Sequence, residues 1–332
     1  MTNGSAAGEA AALAWAPDGV LRPGVPCVRV AAEYVGCCVP RTRNRGSVHS
    51  VFRQACNIET AGGALITLLA PSAGNLPHGI RCRFGWPSNL EALLRPGQTV
   101  VASATTLQAP EAALVIDLSG SRPWSGEIAQ HRIYARSTHI QHRLSTVRSI
   151  LEVQADEGFA PILLRGAGQS SPLRDAMAGR LAHCLPRLAI AGAAWDAEGM
   201  AQALAPLVGL GPGLTPSGDD FIIGYLAALW CQAGRDAQLG SLLHALASPL
   251  HRLATHTNAI SRQFIVNAVM GQFSERLVGV VRALAQPDLD IRARTAEALR
   301  TGHSSGADSL VGLLFGLRPE WIPSPGIPSA RS

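Results

Sequence analysis

Two short stretches of this 332-residue chain combine hydroxyl groups, glycines and aspartates in the same order. Residues 209–224 read GLGPGLTPSGDDFIIG and residues 305–312 read SGADSLVG, so both contain S-G-x-D-x-Φ-Φ-G, where Φ is apolar. A stiff glycine-rich loop that leads into a helix N-terminus presents backbone N–H groups to an anion. The repeated pattern therefore predicts two neighbouring helix N-termini that share one ligand site. The alternative is that the glycines only allow two helices to pack closely.

The first stretch begins as a loop and continues into an apolar helical pattern. Its glycines permit positive φ and its prolines restrict φ, which predicts a rigid, sharply folded loop. Ser217 is a good N-cap for a helix that starts near Asp219. Asp219 and Asp220 then lie in the first turn, where the helix dipole favours carboxylates. The continuous apolar residues that follow predict that this helix is buried.

A third polar stretch, THTNAIS at residues 255–261, lies between the two repeats. Thr257 and Asn258 can cap the next helix, and Ser261 falls one turn later. Hydroxyl groups clustered at a helix start would equally suit a third wall of a polar site. The sequence leaves both interpretations open.

The composition indicates a globular protein and excludes several kinds of chemistry. The chain is 47% hydrophobic and 15% charged with a net charge of +5, and each of its 28 strongly basic residues is arginine. Without lysine, a Schiff base, pyridoxal attachment and a lysine-bearing phosphate loop are excluded. With 5% aromatic residues no stacking surface for nucleic acid is apparent, and no apolar run is long enough for a membrane span. Seven cysteines, an odd number, and an N-terminus unlike a secretory signal predict reduced thiols in a cytoplasmic protein.

The hydrophobic periodicity changes part-way along the chain, which predicts an α+β protein. Period-2 runs predict an antiparallel β domain, a sandwich or small barrel, over residues 22–120. Runs of period 3.6 predict a mainly α-helical domain over residues 121–321. Residues 1–21 are predicted to be a disordered arm and residues 322–332 a flexible tail.

The expected strands are residues 25–39, 47–58, 64–69, 79–84, 99–104 and 113–118. The expected helices are residues 139–157, 173–191, 196–208, 219–232, 236–247, 249–256, 259–270, 273–285, 288–300 and 308–317. Pro249 is expected at the start of its own helix. Asn57 is interpreted first as turn chemistry in the β domain and only second as a ligand contact.

Three segments, GLGPGLTPSGDDFIIGYLAAL, THTNAISRQFI and GHSSGADSLVGLLFGL, resemble in order and position the AllH family, which includes a subunit of bacterial oxamate carbamoyltransferase. The resemblance extends from about Val25 to Leu317 and is looser in the N-terminal half. It implies carbamoyl transfer between phosphate and oxamate in purine (allantoin) nitrogen breakdown, with partner subunits. Carbamoyl phosphate and oxamate are anions, which helix N-termini and arginine could hold.

The resemblance also implies roles for individual side chains. An aspartate such as Asp219, Asp220 or Asp308 could accept the amide proton as the C–N bond forms. Hydroxyl donors could stabilise the developing oxyanion, and His303 is the best general-acid candidate. The hydroxyl donors are Thr215, Ser217 and Ser305, and the other predicted substrate-binding residues are Gly211, Gly213, Gly218, Thr257, Asn258, Ser261, Gly306 and Asn57.

Two other functions stay open from the sequence. The three aspartates could bind Mg²⁺ in a hydrolase of a small anionic substrate, because hard cations prefer carboxylate and hydroxyl oxygens. The chain could also be a non-catalytic subunit that binds a metabolite or a partner. The preferred prediction has no metal ligand and no cofactor, and its partners are a small anionic substrate and other subunits, without nucleic acid or membrane.

Overall fold

The computed structural model describes residues 27–83, 90–128, 133–166, 171–234 and 236–322. The arm expected at residues 1–21 falls outside these ranges, as does the tail expected at residues 322–332 apart from Ile322. The chain divides into two compact units, residues 1–126 and residues 127–332. Each unit is built around its own buried hydrophobic cluster.

The first unit is a β-barrel. Eight strands close in the order β5-β4-β3-β2-β6-β7-β8-β1, because β1 also pairs with β5, and β9 extends the sheet beside β1. The predicted α+β class with an N-terminal β domain is confirmed, and the barrel is the architecture adopted. The strands are β1 (Val28–Gly36), β2 (Asn44–Phe52), β3 (Ala55–Thr60), β4 (Leu65–Leu69), β5 (Gly79–Cys82), β6 (Thr99–Ala102), β7 (Thr106–Ala109), β8 (Leu114–Asp117) and β9 (Arg122–Trp124).

Most barrel strands pair in antiparallel fashion, whereas β4–β5, β1–β8 and β1–β9 are parallel. Val30, Ile58, Ile66 and Ile80 belong to the buried cluster of this unit. A short helix, α1 (Leu90–Leu93), packs against β2. The sequence prediction missed β7 and β9, and its single strand over residues 47–58 is divided between β2 and β3.

The described part of the second unit is helical apart from an isolated bridge between Glu127 and Gln272. Short 3₁₀ turns follow α5, α7 and α11. The helices are α2 (Thr138–Gln154), α3 (Phe159–Leu164), α4 (Pro172–Ala193), α5 (Ala197–Leu204), α6 (Ser217–Ala233), α7 (Ala237–Leu253), α8 (Ala259–Val269), α9 (Glu275–Ala285), α10 (Ile291–Leu299) and α11 (Ser305–Leu317).

The predicted helix break at Pro249 is wrong, because α7 continues through this residue. Proline removes one backbone hydrogen bond within a helix. Leu246 and Leu250, on either side of it, are each 1% exposed, so burial of this face keeps the helix continuous. The short helix α3 was not predicted. All six of its residues are apolar, so the segment shows no helical period.

The two helices that begin at the repeated motif pack side by side at the centre of this unit. A Cβ at Gly224 of α6 would overlap the carbonyl oxygen of Ser309, and a Cβ at Gly312 of α11 would overlap that of Phe221. Further along, a Cβ at Gly316 would contact the Ala228 side chain, so the helices run in the same direction. The two glycines thus bring both helix N-termini to the same end.

Two structural observations concern membrane spans and the adjacent cysteines. Within the described ranges, no helix is long and apolar enough to cross a membrane. The Sγ atoms of Cys37 and Cys38 lie 3.8 Å apart, well beyond the S–S distance of about 2.05 Å in a disulfide.

Candidate functional site

Asp219 joins three segments of the helical unit. Its Oδ1 accepts a hydrogen bond from the Gly209 N–H at 2.8 Å, and its Oδ2 accepts one from the Thr257 hydroxyl at 2.5 Å. The side chain is fully buried. Burial raises its pKa, and hydrogen bonds from Thr257, Gly209 and Ser261 oppose that rise. Both oxygens are therefore used to hold the glycine-rich loop against the segment before α8.

Asp308 is fully buried in the first turn of α11. Its Oδ1 accepts a hydrogen bond from the Phe159 N–H at 2.6 Å, which connects it to the start of α3. A Cβ at position 158 would overlap both carboxylate oxygens, and Gly158 has φ +74°, so glycine suits this position on both counts. Burial raises the pKa of Asp308 to about 7, against the effect of donors from Phe159, Ser217, Ser304 and Ala160.

Asp220 is 5% exposed and lies between the other two carboxylates. Burial raises its pKa well above the usual range, the Asp308 carboxylate raises it further, and Asp219 adds to the effect. The hydroxyls of Ser305 and Thr215 act in the opposite direction. Asp220 receives no backbone N–H donor in the described part of the chain.

In each repeated motif, the serine hydroxyl acts on the aspartate of the other motif. The Ser305 hydroxyl of α11 lowers the pKa of Asp220 on α6, while the Ser217 hydroxyl of α6 lowers the pKa of Asp308 on α11. Thr215 completes the group, with its Oγ1 2.6 Å from Oγ of Ser305. The structure therefore joins both motifs in one polar cluster, at the end where the two helices begin.

The predicted N-cap role of Ser217 is wrong. Helix α6 already starts at Ser217 with Pro216 as N-cap, and α11 starts at Ser305 with Ser304 as N-cap. Neither end has a side-chain capping bond. The serine backbones are helical, so the hydroxyls are directed to the partner helix instead of to their own N–H groups.

The glycines of the motifs have packing and loop roles. A Cβ at Gly218 would overlap the Leu207 carbonyl, and a Cβ at Gly306 would overlap the Ala298 carbonyl. Gly211 and Gly213 both have positive φ in the loop before α6. These glycines let the loop turn and let each helix start approach the preceding segment.

The stretch before α8 contributes to the cluster unevenly. Thr257 contacts Asp219 directly, as described, and Ser261 is fully buried beside it. Asn258 caps α8, since its Oδ1 accepts hydrogen bonds from the Ile260 and Ser261 N–H groups, each at 3.0 Å. Its side chain therefore has a structural partner already.

His303 and Asn57, two predicted site residues, have partners other than the three aspartates. The His303 side chain is 85% exposed and its Nε2 lies 3.0 Å from Oε1 of Glu157. Asn57 belongs to the barrel, where it donates to the Ser50 hydroxyl at 3.0 Å and accepts from the Thr67 hydroxyl at 2.7 Å. Asn57 is thus held by neighbours within the barrel, and His303 pairs with a surface glutamate.

The structure also adds residues that the sequence reading missed. Gly158, Phe159 and Ala160 contact Asp308 through their backbone, about 150 positions before it in the chain. Ser304 donates to the same carboxylate. Backbone donors carry no side-chain pattern, so no feature of the sequence singled them out.

The charge of this cluster is not balanced by a basic side chain. No arginine of the described residues forms a hydrogen bond or ion pair with Asp219, Asp220 or Asp308. Arg143, one candidate cation, instead donates to backbone carbonyls near the end of α9, including Leu289 at 2.8 Å. Oδ2 of Asp220 and Oδ2 of Asp308 are both buried without a hydrogen-bond partner.

The cluster contains carboxylate and hydroxyl oxygens, which are the ligand types of a hard cation such as Mg²⁺. Carboxylates and hydroxyls are the ligands that Mg²⁺ prefers. However, no group of three or more His, Cys, Asp or Glu side chains within the described residues is arranged to hold a metal ion.

A separate cavity of about 640 Å³ lies towards the C-terminal ends of α6 and α11. Tyr225, Leu229 and Phe315 contribute to its walls, and none of the three aspartates does. This cavity therefore leaves the unpartnered carboxylate oxygens unexplained.

Two family models match the chain. Residues 207–317 match the model described as oxamate carbamoyltransferase subunit AllH, and residues 33–123 match the AllH family N-terminal domain. The first match contains both S-G-x-D motifs and the Thr257 segment, and the second covers most of the barrel strands. No solved structure matches the chain.

Proposed function

This chain belongs to the AllH family, and from that premise we propose that it is a subunit of a cytoplasmic carbamoyltransferase. The enzyme transfers a carbamoyl group between phosphate and oxamate in the breakdown of purine (allantoin) nitrogen. The observation that carries the proposal is the buried pair Asp220 and Asp308 at adjoining helix N-termini. Both lie within the segment that matches the oxamate carbamoyltransferase subunit.

The reaction needs a base, because an amide nitrogen is a poor nucleophile. The oxamate nitrogen forms a bond to the carbamoyl carbon while the bond from that carbon to the phosphate oxygen breaks. The amide proton passes to an aspartate and then to the departing phosphate, which leaves with the bonding electrons. Asp308 suits this role because burial raises its pKa to about 7, near the pH at which a general base is most effective.

The hydroxyls of Thr215, Ser217 and Ser305 support stabilisation of the developing oxyanion. They lie at the starts of α6 and α11, where the helix dipoles are positive. Asp219 positions the loop, since both of its oxygens already have partners.

Partner subunits supply the groups that bind phosphate in this proposal. Carbamoyl phosphate is a dianion, and the described contacts of the three aspartates include no arginine. Three buried carboxylates would repel a phosphate group at close range. The chain then contributes the acceptor side of the reaction, without a metal or organic cofactor of its own.

The test is carbamoyl transfer by the complex reconstituted from this chain and its partner subunits. Asp308→Asn is expected to lower the rate by about 10²- to 10⁴-fold, the usual contribution of a general base. Asp288→Asn, the same change at an exposed position, serves as the matched control. Full activity without this chain would refute the proposal. Activity that requires the chain but survives Asp308→Asn would show a non-catalytic subunit.

A further inference from the structure

Two buried carboxylate oxygens in this protein have no hydrogen-bond partner. They are Oδ2 of Asp220 and Oδ2 of Asp308, on neighbouring helices of the same cluster. Buried polar atoms are almost always paired, because leaving one unpaired costs the free energy of its lost hydration. Two such atoms on carboxyl groups that interact with each other indicate a ligand group that pairs with both.

The surroundings of the two carboxyl groups differ. The Phe159 N–H donates to Asp308, and the Ala160 N–H and the hydroxyls of Ser217 and Ser304 also lower its pKa and so favour the anion. Asp220 has no backbone donor and faces two other carboxylates, which disfavours a second anion. Asp308 therefore loses its proton before Asp220 does, and above about pH 7 the pair consists of an ionised Asp308 and a protonated Asp220.

We propose that Asp220 and Asp308 together form a subsite for the H₂N–C=O group of an amide or ureide. Oδ2 of Asp308 accepts a hydrogen bond from the ligand N–H, and the Asp220 carboxyl donates its proton to the ligand carbonyl oxygen. One planar ligand group thus satisfies both unpartnered oxygens. The choice of oxamate as the ligand rests on the proposed function, whereas the amide chemistry rests on these contacts.

This pairing also supplies a way to activate the nitrogen. Asp308 takes the N–H proton while Asp220 gives its proton to the carbonyl oxygen, which converts the amide into its imidic acid tautomer. The N–H bond breaks and an O–H bond forms, so the pair holds one proton before and after the step. The tautomer has a nucleophilic nitrogen lone pair, which the amide lacks.

Other ligand chemistries fit the contacts less well. A phosphate would meet buried carboxylates without a neighbouring arginine among the described residues. No group of three or more His, Cys, Asp or Glu side chains in the described part of the chain is arranged to hold a metal ion. The amide group of such a ligand is itself uncharged and supplies both N–H donors and a carbonyl acceptor.

The segments around the pair leave a route for a small ligand. Gly158, Gly211, Thr215, Ser304 and Ser305 are only half-buried, although the carboxyl groups beneath them are not exposed. Motion of the glycine-rich loop before α6 would uncover the pair, as loops do in many enzymes.

The first test compares two ligands by calorimetry with the full chain in the absence of partner subunits. Oxamate and pyruvate have the same shape and charge, but pyruvate carries a methyl group where oxamate has its amide nitrogen. Oxamate is expected to bind about tenfold or more tightly, because pyruvate leaves the Asp308 acceptor unpaired. Equal affinities, or no binding of either ligand, would overturn the proposal.

The second test uses asparagine, the uncharged isostere of a protonated aspartate. Asp220→Asn retains a donor and is expected to weaken oxamate binding by no more than about threefold, whereas Asp220→Ala loses about tenfold. Asp308→Asn directs an N–H group at the ligand N–H and is expected to lose about thirtyfold or more. Asp288→Asn is again the exposed control.

Infrared spectra of isotope-labelled protein report the protonation directly. Above pH 7, where Asp308 is ionised, the band of a protonated carboxyl should be present in the wild type and in Asp308→Asn, and absent in Asp220→Asn. Equal loss of oxamate binding in both asparagine variants, together with calorimetric binding of Mg²⁺ that both abolish, would assign a cation site and refute the amide subsite. These measurements need no turnover, so failure of the subsite is distinguishable from failure of carbamoyl transfer in the complex.

Discussion

Asp219, Asp220 and Asp308 carry the same functional group, and their neighbours give them three different properties. Both carboxylate oxygens of Asp219 accept hydrogen bonds, from Gly209 and Thr257, so this side chain has a structural role. Asp308 has converging donors and one free oxygen, while Asp220 has neighbouring carboxylates and one free oxygen. Environments that separate the pKa values of two carboxyl groups are typical of acid–base pairs in enzymes.

The raised pKa of Asp308 makes the stability of the fold depend on pH. The folded state holds the proton up to about pH 7, whereas the unfolded chain releases it near 3.8. The free energy of unfolding therefore falls as pH rises from 3.8 to about 7, by about 4 kcal/mol for this shift. Asp308→Asn removes the titration and keeps an acceptor for the Phe159 N–H.

The prediction is that Asp308→Asn becomes more stable than the wild type as pH rises, with a difference that grows by about 4 kcal/mol between pH 4 and pH 8. Urea denaturation at a series of pH values measures it. Asp288→Asn should follow the wild-type curve. Parallel curves for the wild type and Asp308→Asn would mean that Asp308 ionises normally in the folded protein.

At the scale of elements, close packing of α6 against α11 places the catalytic candidates. Gly224 and Gly312 face the backbone of the opposite helix, where any side chain would overlap a carbonyl oxygen. Phe221 of α6 also packs against Phe315 of α11, with ring centroids 5.7 Å apart. The register of the two helices therefore determines whether the Asp220 and Asp308 carboxyl groups meet.

Gly224→Ala is expected to destabilise the protein by about 1–3 kcal/mol or more, because an overpacked core must shift rigid backbone. Gly240→Ala is the matched control, since Gly240 is an exposed position of helix α7 with open space around its Cβ position. There the same change should stabilise by about 0.5–1 kcal/mol through helix propensity. Thermal denaturation measures both. Changes of the same sign would show that α6 and α11 do not depend on this glycine.

At the scale of the whole molecule, the chain has two units with two separate hydrophobic clusters. The barrel cluster draws on residues 30–118 and the helical cluster on residues 128–322. Every recorded partner of the three aspartates lies between Gly158 and Asp308. The amide subsite is therefore assembled within the helical unit.

A variant of Asn57, a barrel residue, tests whether the subsite lies within the helical unit. Asn57→Ala removes buried hydrogen bonds to Ser50 and Thr67 and should cost about 1–3 kcal/mol of stability. Its affinity for oxamate, measured by calorimetry well below the unfolding temperature, is expected to equal that of the wild type. Weaker oxamate binding in a folded Asn57→Ala protein would make Asn57 a substrate contact after all.

The sequence by itself determined the α+β class, the order of β-rich and helical parts, and the two motifs of the site. Each of these rests on a local signal: a period of 2 or 3.6, a glycine-rich turn, or the S-G-x-D repeat. Repetition was the strongest of them, because two helices with the same start can pack as a pair. The family resemblance was visible for the same reason, since those motifs are contiguous.

Only the tertiary structure decided which groups meet. The Phe159 N–H donates to Asp308 from the start of a helix that was not predicted, and Gly158 leaves room for the carboxylate. Both contacts are made by backbone atoms, which no side-chain pattern in the sequence indicates. In the structure, each motif serine acts on the aspartate of the opposite helix, and His303 is exposed at the surface. Hydrogen-bond partners and burial depend on contacts between distant segments, so local patterns indicated the site but not the division of roles within it.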